Sequence, residues 1–156
     1  NLGVIAIIPF SKKFSASMEI CYAERGSRTS ANNWVDLGYV YKLRLNYAEV
    51  PILFNFHDKG GLVFGLGASI STLVHHKEFK DGFEVVYPEN TKVYNKQDYS
   101  YVINASYMFG KKEHLGINFR FTNTLKFLPI RELYNSKNEF HVQTHRLVTM
   151  RLLYLF

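Results

Sequence analysis

Thirteen residues, Leu62 to Val74, restrict the folds open to this chain more than any other stretch. Leu62, Phe64, Leu66, Ala68, Ile70 and Val74 share one parity, while Val63, Gly65, Gly67, Ser69 and Ser71 share the other. A repeat of two residues is the period of a β-strand, not of a helix. One face is apolar and the other is built from small or polar side chains, which suits a tightly curved, crowded interior. The apolar face must then look onto something equally apolar.

The alternation recurs along the chain. Phe14, Ala16, Met18, Ile20 and Tyr22 oppose Ser15, Ser17, Glu19 and Cys21; Tyr99 to Phe109 repeats the pattern on odd numbers. Leu115, Ile117, Phe119 and Phe121 face away from Asn118, Arg120 and Thr122, and a last strand, about His141 to Phe156, sets Val148, Met150, Leu152, Tyr154 and Phe156 against Thr149 and Arg151. Leu2 to Phe10 is a mostly apolar run ahead of a tight turn, so seven strands are readable. The abundance of Phe (13) and Tyr (11) supports β structure throughout.

Leu37 to His57 is the longest extended stretch. Its apolar parity moves from Leu43, Leu45 and Tyr47 to Val50, Ile52, Phe54 and Phe56. That shift predicts a β-bulge near Ala48 or Glu49, or else a first half that stands clear of the apolar surroundings. Tyr39 to His57 spans about 63 Å at roughly 3.3 Å per residue, more than a bilayer core requires, so part of the strand should project.

From Glu24 to Trp34 the chain reads as a polar loop. Turns at Ser11 to Lys13, Asp58 to Gly61 and Gly110 to Glu113 are short, and the loops around Gly26 to Asp36, His75 to Asp98 and Lys126 to Glu139 are long and polar. Within the second of these, Phe83 to Tyr87 reads as a small extra strand. Short and long connections alternate strictly, so all tight turns lie at one end of a meander. With tyrosines near strand ends, this is the pattern of an all-β, antiparallel up-and-down transmembrane β-barrel of the bacterial outer membrane. Such barrels have even strand numbers; eight are expected here, the eighth preceding Leu2 or supplied from outside this numbering. The 156 residues read as one barrel domain, and Asn1 to Phe10 has neither the basic start nor the cleavage site of a signal peptide.

A barrel of eight strands has room only for its own side chains. Glu19, Glu49, Asn55, Asn104, Asn118, Arg120 and Arg151 are therefore expected inside as a hydrogen-bonded plug, with Thr122 and Thr149 beside them and a glutamate paired to Arg120 or Arg151. The net charge of +6 is dispersed over opposite strand ends without a basic stripe, which argues against nucleic acid. No catalytic, metal or cofactor site is expected. His141 and His145 would sit about 13 Å apart on a strand at roughly 3.3 Å per residue, too far to share a metal, and Cys21 has no base tied to it by spacing. A soluble lipocalin-like barrel is the alternative from another class, disfavoured because the polar face makes a poor ligand pocket.

With no pore or active site in view, function falls to the surfaces. Phe83, Tyr87, Tyr94 and Tyr99, in and around the long loop, are the candidate partner contacts, whether for proteins of an outer-membrane complex or for lipopolysaccharide.

Lys13 to Tyr22, Leu45 to Leu53 with its Tyr-x-Glu-aliphatic-Pro motif, and Gly61 to Gly67 resemble the PorT-type outer-membrane β-barrel domains of Bacteroidetes. Arg120 and the closing Tyr154-Leu155-Phe156 are also in register with that family. The resemblance implies a first strand and a signal peptide ahead of the segment like Leu2 to Phe10, and a carboxyl-terminal insertion signal, Tyr154 and Phe156, read by the barrel-assembly machinery. It implies little about activity, since such barrels include type 9 secretion components and many accessory subunits.

Overall fold

The computed structural model describes residues 2–29, 40–86, 93–109, 114–126, 128–134 and 140–155, and the side chains of all but 29, 132–134 and 140–142. Its strands are β1 (Leu2–Pro9), β2 (Phe14–Thr29), β3 (Tyr41–His57), β4 (Leu62–Lys80), β5 (Phe83–Glu84), β6 (Gln97–Phe109), β7 (Leu115–Thr124), β8 (Arg131–Tyr134), β9 (Phe140–Gln143) and β10 (Arg146–Tyr154). The main sheet runs β1-β2-β3-β4-β6-β7-β10, with β5 added to β4, and every neighbouring pair is antiparallel. β8 and β9 form a separate hairpin.

Two of the tight turns are held by their own side chains. Ser11 Oγ accepts hydrogen bonds from the amides of Lys13 and Phe14, and Asp58 Oδ2 accepts one from Gly60. Gly61 then takes φ +83°, a conformation costly to any residue with a Cβ. The turn at Gly110 to Glu113 lies outside the described residues.

The strands are longer at the other end than their pattern suggested. β2 continues through Arg25 to Thr29, where a loop was expected from Glu24, and β4 continues to Lys80, where a polar segment was expected from His75. The expected last strand is broken at Thr144 and His145 into β9 and β10, and β8 falls within the expected loop Lys126 to Glu139. The small strand expected at Phe83 to Tyr87 is the two-residue β5, and Tyr87 lies outside the described residues.

No bulge occurs in β3 at Ala48 or Glu49. Against β2 the register keeps one offset from Phe14↔Phe56 to Thr29↔Tyr41. Against β4 it steps between Asn46 and Tyr47, which face His75 and Leu73, so the extra residue is Val74 on β4. Odd-numbered residues of β3 point inward along its whole length. The change lies in the surroundings, not in the strand's phase.

Below Tyr22, Ala48 and Thr72, which lie side by side on β2, β3 and β4, the wall is apolar outside and polar inside. Ile20, Phe54, Leu66, Ile103, Phe119 and Met150 are all about half-exposed or more on its outer face. Above that line the order inverts. Glu24, Arg28, Arg44 and His75 face out, whereas Ala23, Leu43, Leu45 and Tyr47 are buried within. Tyr94 and Ile130 close over the last three as an apolar cap, with Tyr41, Leu73 and Val93 packed against it. A β-wall matches its outer face to its solvent, so the line marks the outer edge of the hydrocarbon. Leu62 to Val74 covers about 40 Å of strand at roughly 3.3 Å per residue, or about 28 Å of height at a 45° tilt, close to a bilayer core.

Six antiparallel steps separate β1 from β10, so these two edges run in the same direction. They are not hydrogen-bonded to each other. A gap of about 480 Å³ lies between them, lined by Leu2, Gly3 and Ile5 on one side and Thr149 to Leu153 on the other, with Glu19 behind. One strand running opposite to both is the smallest addition that would make every neighbour antiparallel.

Candidate functional site: the filled lumen and its outer wall

The small face that the sequence sets inside β4 leaves room for side chains from the strands on either side of it. Gly65 lies against Asn55 and Asn104, and a Cβ at Gly67 would fall 1.9 Å from the Ile52 carbonyl oxygen, so β3 and β4 approach there as only glycine permits.

From the tight-turn end the lumen begins as a cavity of about 300 Å³, lined in part by Ser15, Ser17, Asn55, His57 and Ser106. Asn55 Nδ2 donates to Ser17 Oγ at 2.9 Å, and Ser15 Oγ lies 2.7 Å from His57 Nε2. Arg120 and Arg151 end this vestibule.

Glu19 organises the next layer. Its carboxylate accepts from Arg120 Nη2 at 2.7 Å and from Arg151 Nη1, joining β2 to β7 and β10. Arg151 also donates to Asn118 Oδ1 at 2.7 Å, and Asn118 Nδ2 donates to Asn104 Oδ1 at 2.7 Å. The second glutamate is held otherwise. Glu49 accepts from Arg25 Nη2 at 2.9 Å and from Ser69 Oγ at 3.1 Å, while Arg25 Nη1 donates to Asp98 at 2.5 Å. Arg25 stacks over Tyr47, 4.8 Å from the ring centre.

All seven residues expected in the plug thus lie in the lumen. The sequence reading missed Arg25 and Asp98, because both had been placed in loops. Arg25 carried a usable signal: it continues the odd parity of Ser15, Ser17, Glu19 and Cys21. Asp98 carried none, since a lone aspartate at a strand start reads as solvated.

Above the second cluster sits the cap. Tyr94 Oη donates to Glu78, which also pairs with Arg131 at 3.1 Å. Burial and the nearby Glu78 raise the Tyr94 hydroxyl pKa, so it remains a donor. Tyr94 is only 5% exposed and is therefore a packing residue of the cap, which corrects its assignment as a surface contact. Phe83 is 79% exposed, and Tyr99 is half-buried at the rim, its hydroxyl 2.7 Å from Gln97 Oε1. At the opposite end Tyr154 faces out and stacks on His114; Phe156 lies outside the described residues.

His145, between β9 and β10 on the outer side, rests edge-on against Tyr47 with ring centres 5.6 Å apart. Burial and Arg25 push its pKa down to about 4, against an opposing pull from Asp98. A histidine depressed in the folded state contributes fully above its unfolded pKa of about 6.5, and that contribution is lost as pH falls towards 4. The hinge at Thr144 and His145 should therefore become protease-sensitive between pH 6.5 and 4.5 in detergent-folded protein. A His145→Phe variant should lack this acid-dependent step; an identical profile in both proteins would refute the assignment.

Among the described residues, no group of three or more His, Cys, Asp or Glu side chains is placed to hold a metal. No helix is long and apolar enough to cross a membrane, so any crossing is made by strands.

A tall antiparallel wall with a lipid-like outer face and an ion-paired lumen defines a small integral β-barrel protein. The chain belongs to the family described as "Outer membrane protein beta-barrel domain", whose model matches residues 1–126. Comparison with curated proteins and with solved structures finds no match. Family membership places the protein in the bacterial outer membrane, with its long connections outside. The soluble lipocalin-like alternative is set aside on the same grounds.

Proposed function

We propose that this barrel acts without catalysis, as an accessory subunit of an outer-membrane secretion or assembly machine. The PorT-like Tyr-x-Glu-aliphatic-Pro motif at Tyr47 to Pro51 favours a type 9 secretion setting. The observation that carries the reading is the lumen: two layers of buried ion pairs and an apolar cap fill it from Glu19 to Ile130. A filled lumen is a poor conduit, and its charged groups are committed to one another. What remains for function is the projecting wall and the outer segments around Phe83 and Tyr99.

The test is isolation of tagged protein from native outer membranes in mild detergent, with identification of whatever co-purifies. Secretion or barrel-assembly components in stoichiometric amounts are expected. Recovery of the barrel with lipid alone would overturn the subunit role and favour a free-standing barrel that binds lipopolysaccharide.

A further inference from the structure

Four cations stand on the outer face above the hydrocarbon edge, four to six residues along their strands from the line through Tyr22, Ala48 and Thr72. Arg28 of β2 lies directly opposite Lys42 of β3, and Arg44 of β3 directly opposite Lys77 of β4. All four lie on the outward parity of their strands, opposite to buried Ala23 and Arg25 on β2, Leu43 and Leu45 on β3, and Glu78 on β4. Like charges in facing positions of a sheet repel, so a strand trio that carries two such pairs is built to meet anions. The local carboxylates do not supply enough. Glu24 lies 4.0 Å from Arg44 and Glu84 lies 3.4 Å from Lys77, both exposed, and among the described residues neither Arg28 nor Lys42 has an acidic partner.

Height selects the anion. On β2 the cations begin beyond Tyr22, on β3 before Ala48, and on β4 beyond Val74, which is where the outer face ceases to be apolar. At roughly 3.3 Å per residue and a 45° tilt, the four stand about 9 to 14 Å above the line through Tyr22, Ala48 and Thr72, within the headgroup layer of a glycolipid leaflet and not among its acyl chains. A cleft of about 990 Å³ opens beside Val74, between the upper half of β4 and residues 93–97, with Lys96 at its margin and Thr72 and Tyr99 along it.

We propose that Arg28, Lys42, Arg44 and Lys77 form a binding site for the phosphate groups of an outer-leaflet glycolipid. The proposal rests on the outer-membrane placement of the barrel, not on its role as a subunit. The site lies on β2, β3 and β4, whereas Phe83 belongs to β5 and Tyr99 to β6.

Native mass spectrometry of the detergent-folded barrel, titrated with purified bisphosphorylated lipid A and with the same lipid dephosphorylated, tests it. The parent protein should retain the phosphorylated form at least about tenfold more tightly, with affinity falling as salt rises. The variant Arg28→Gln/Lys42→Gln/Arg44→Gln/Lys77→Gln should lose that preference while keeping the heat-modifiable mobility of a folded barrel. Equal binding of the two lipids by the parent protein overturns the proposal even if the variant does not fold. Unchanged preference in a folded variant overturns it as well. Loss of heat-modifiable mobility in the parent would instead count against the barrel itself.

Discussion

Glu19→Leu should abolish the folded barrel. Glu19 is 6% exposed and is the carboxylate on which both Arg120 and Arg151 converge, so its removal strands two guanidinium groups in the lumen. Breaking a buried pair by deleting one partner costs about 3–5 kcal/mol, because the surviving charge is left unsolvated; here two charges survive. Against a typical total stability of about 5–15 kcal/mol, that is enough to prevent folding. The readout is the heat-modifiable band of refolded protein together with its urea midpoint. Arg120→Leu should reduce the yield less, since Arg151 still holds Glu19. The triple change Glu19→Leu/Arg120→Met/Arg151→Met should recover much of the loss, because replacing a whole buried ionic group by apolar volume is often neutral. A wild-type midpoint in Glu19→Leu would show that the pairing contributes nothing to the fold.

Arg25→Met should produce the second largest loss, and one that removal of its partners' charges relieves. Arg25 is 2% exposed and holds Glu49 and Asp98 while covering Tyr47. Without it, Glu49 and Asp98, which flank Ser71 from β3 and β6, are left buried with no cation between them. Removing those charges as well, in Arg25→Met/Glu49→Gln/Asp98→Asn, should recover part of the loss, because no uncompensated buried charge then remains. Urea midpoints of the parent, the single and the triple variant measure this. A triple variant no more stable than Arg25→Met would mean that Arg25 acts by packing on Tyr47 and not by charge.

The membrane-embedded half of the protein was readable because one physical rule governs it. Where lipid lies outside and polar atoms lie inside, sequence parity reports the face directly, and Leu62 to Val74 or Tyr99 to Phe109 could be placed residue by residue. The same rule misled above the membrane. Leu43, Leu45 and Tyr47 carry apolar side chains on the inward parity, and a pattern that had meant "outside" lower down came to mean "inside". Read as a change of phase, it suggested a bulge in β3; the actual step is at Val74, where no side-chain pattern betrays it. Glu24 to Thr29 and His75 to Lys80 were taken for loops for a related reason. Their outward charges look like loop composition, although their inward partners Arg25 and Glu78 are among the most buried residues. The ion-pair layers were half legible: Glu19 with Arg120 and Arg151 follows from parity, whereas Glu49 needed Arg25 and Asp98, which lie on segments assigned to solvent.

The shared direction of β1 and β10 also constrains how the two edges can be bridged. Laid directly against each other they would pair in parallel, a slightly weaker ladder that no neighbouring pair of this sheet uses. Only a strand that travels from the periplasmic side outward meets both of them antiparallel.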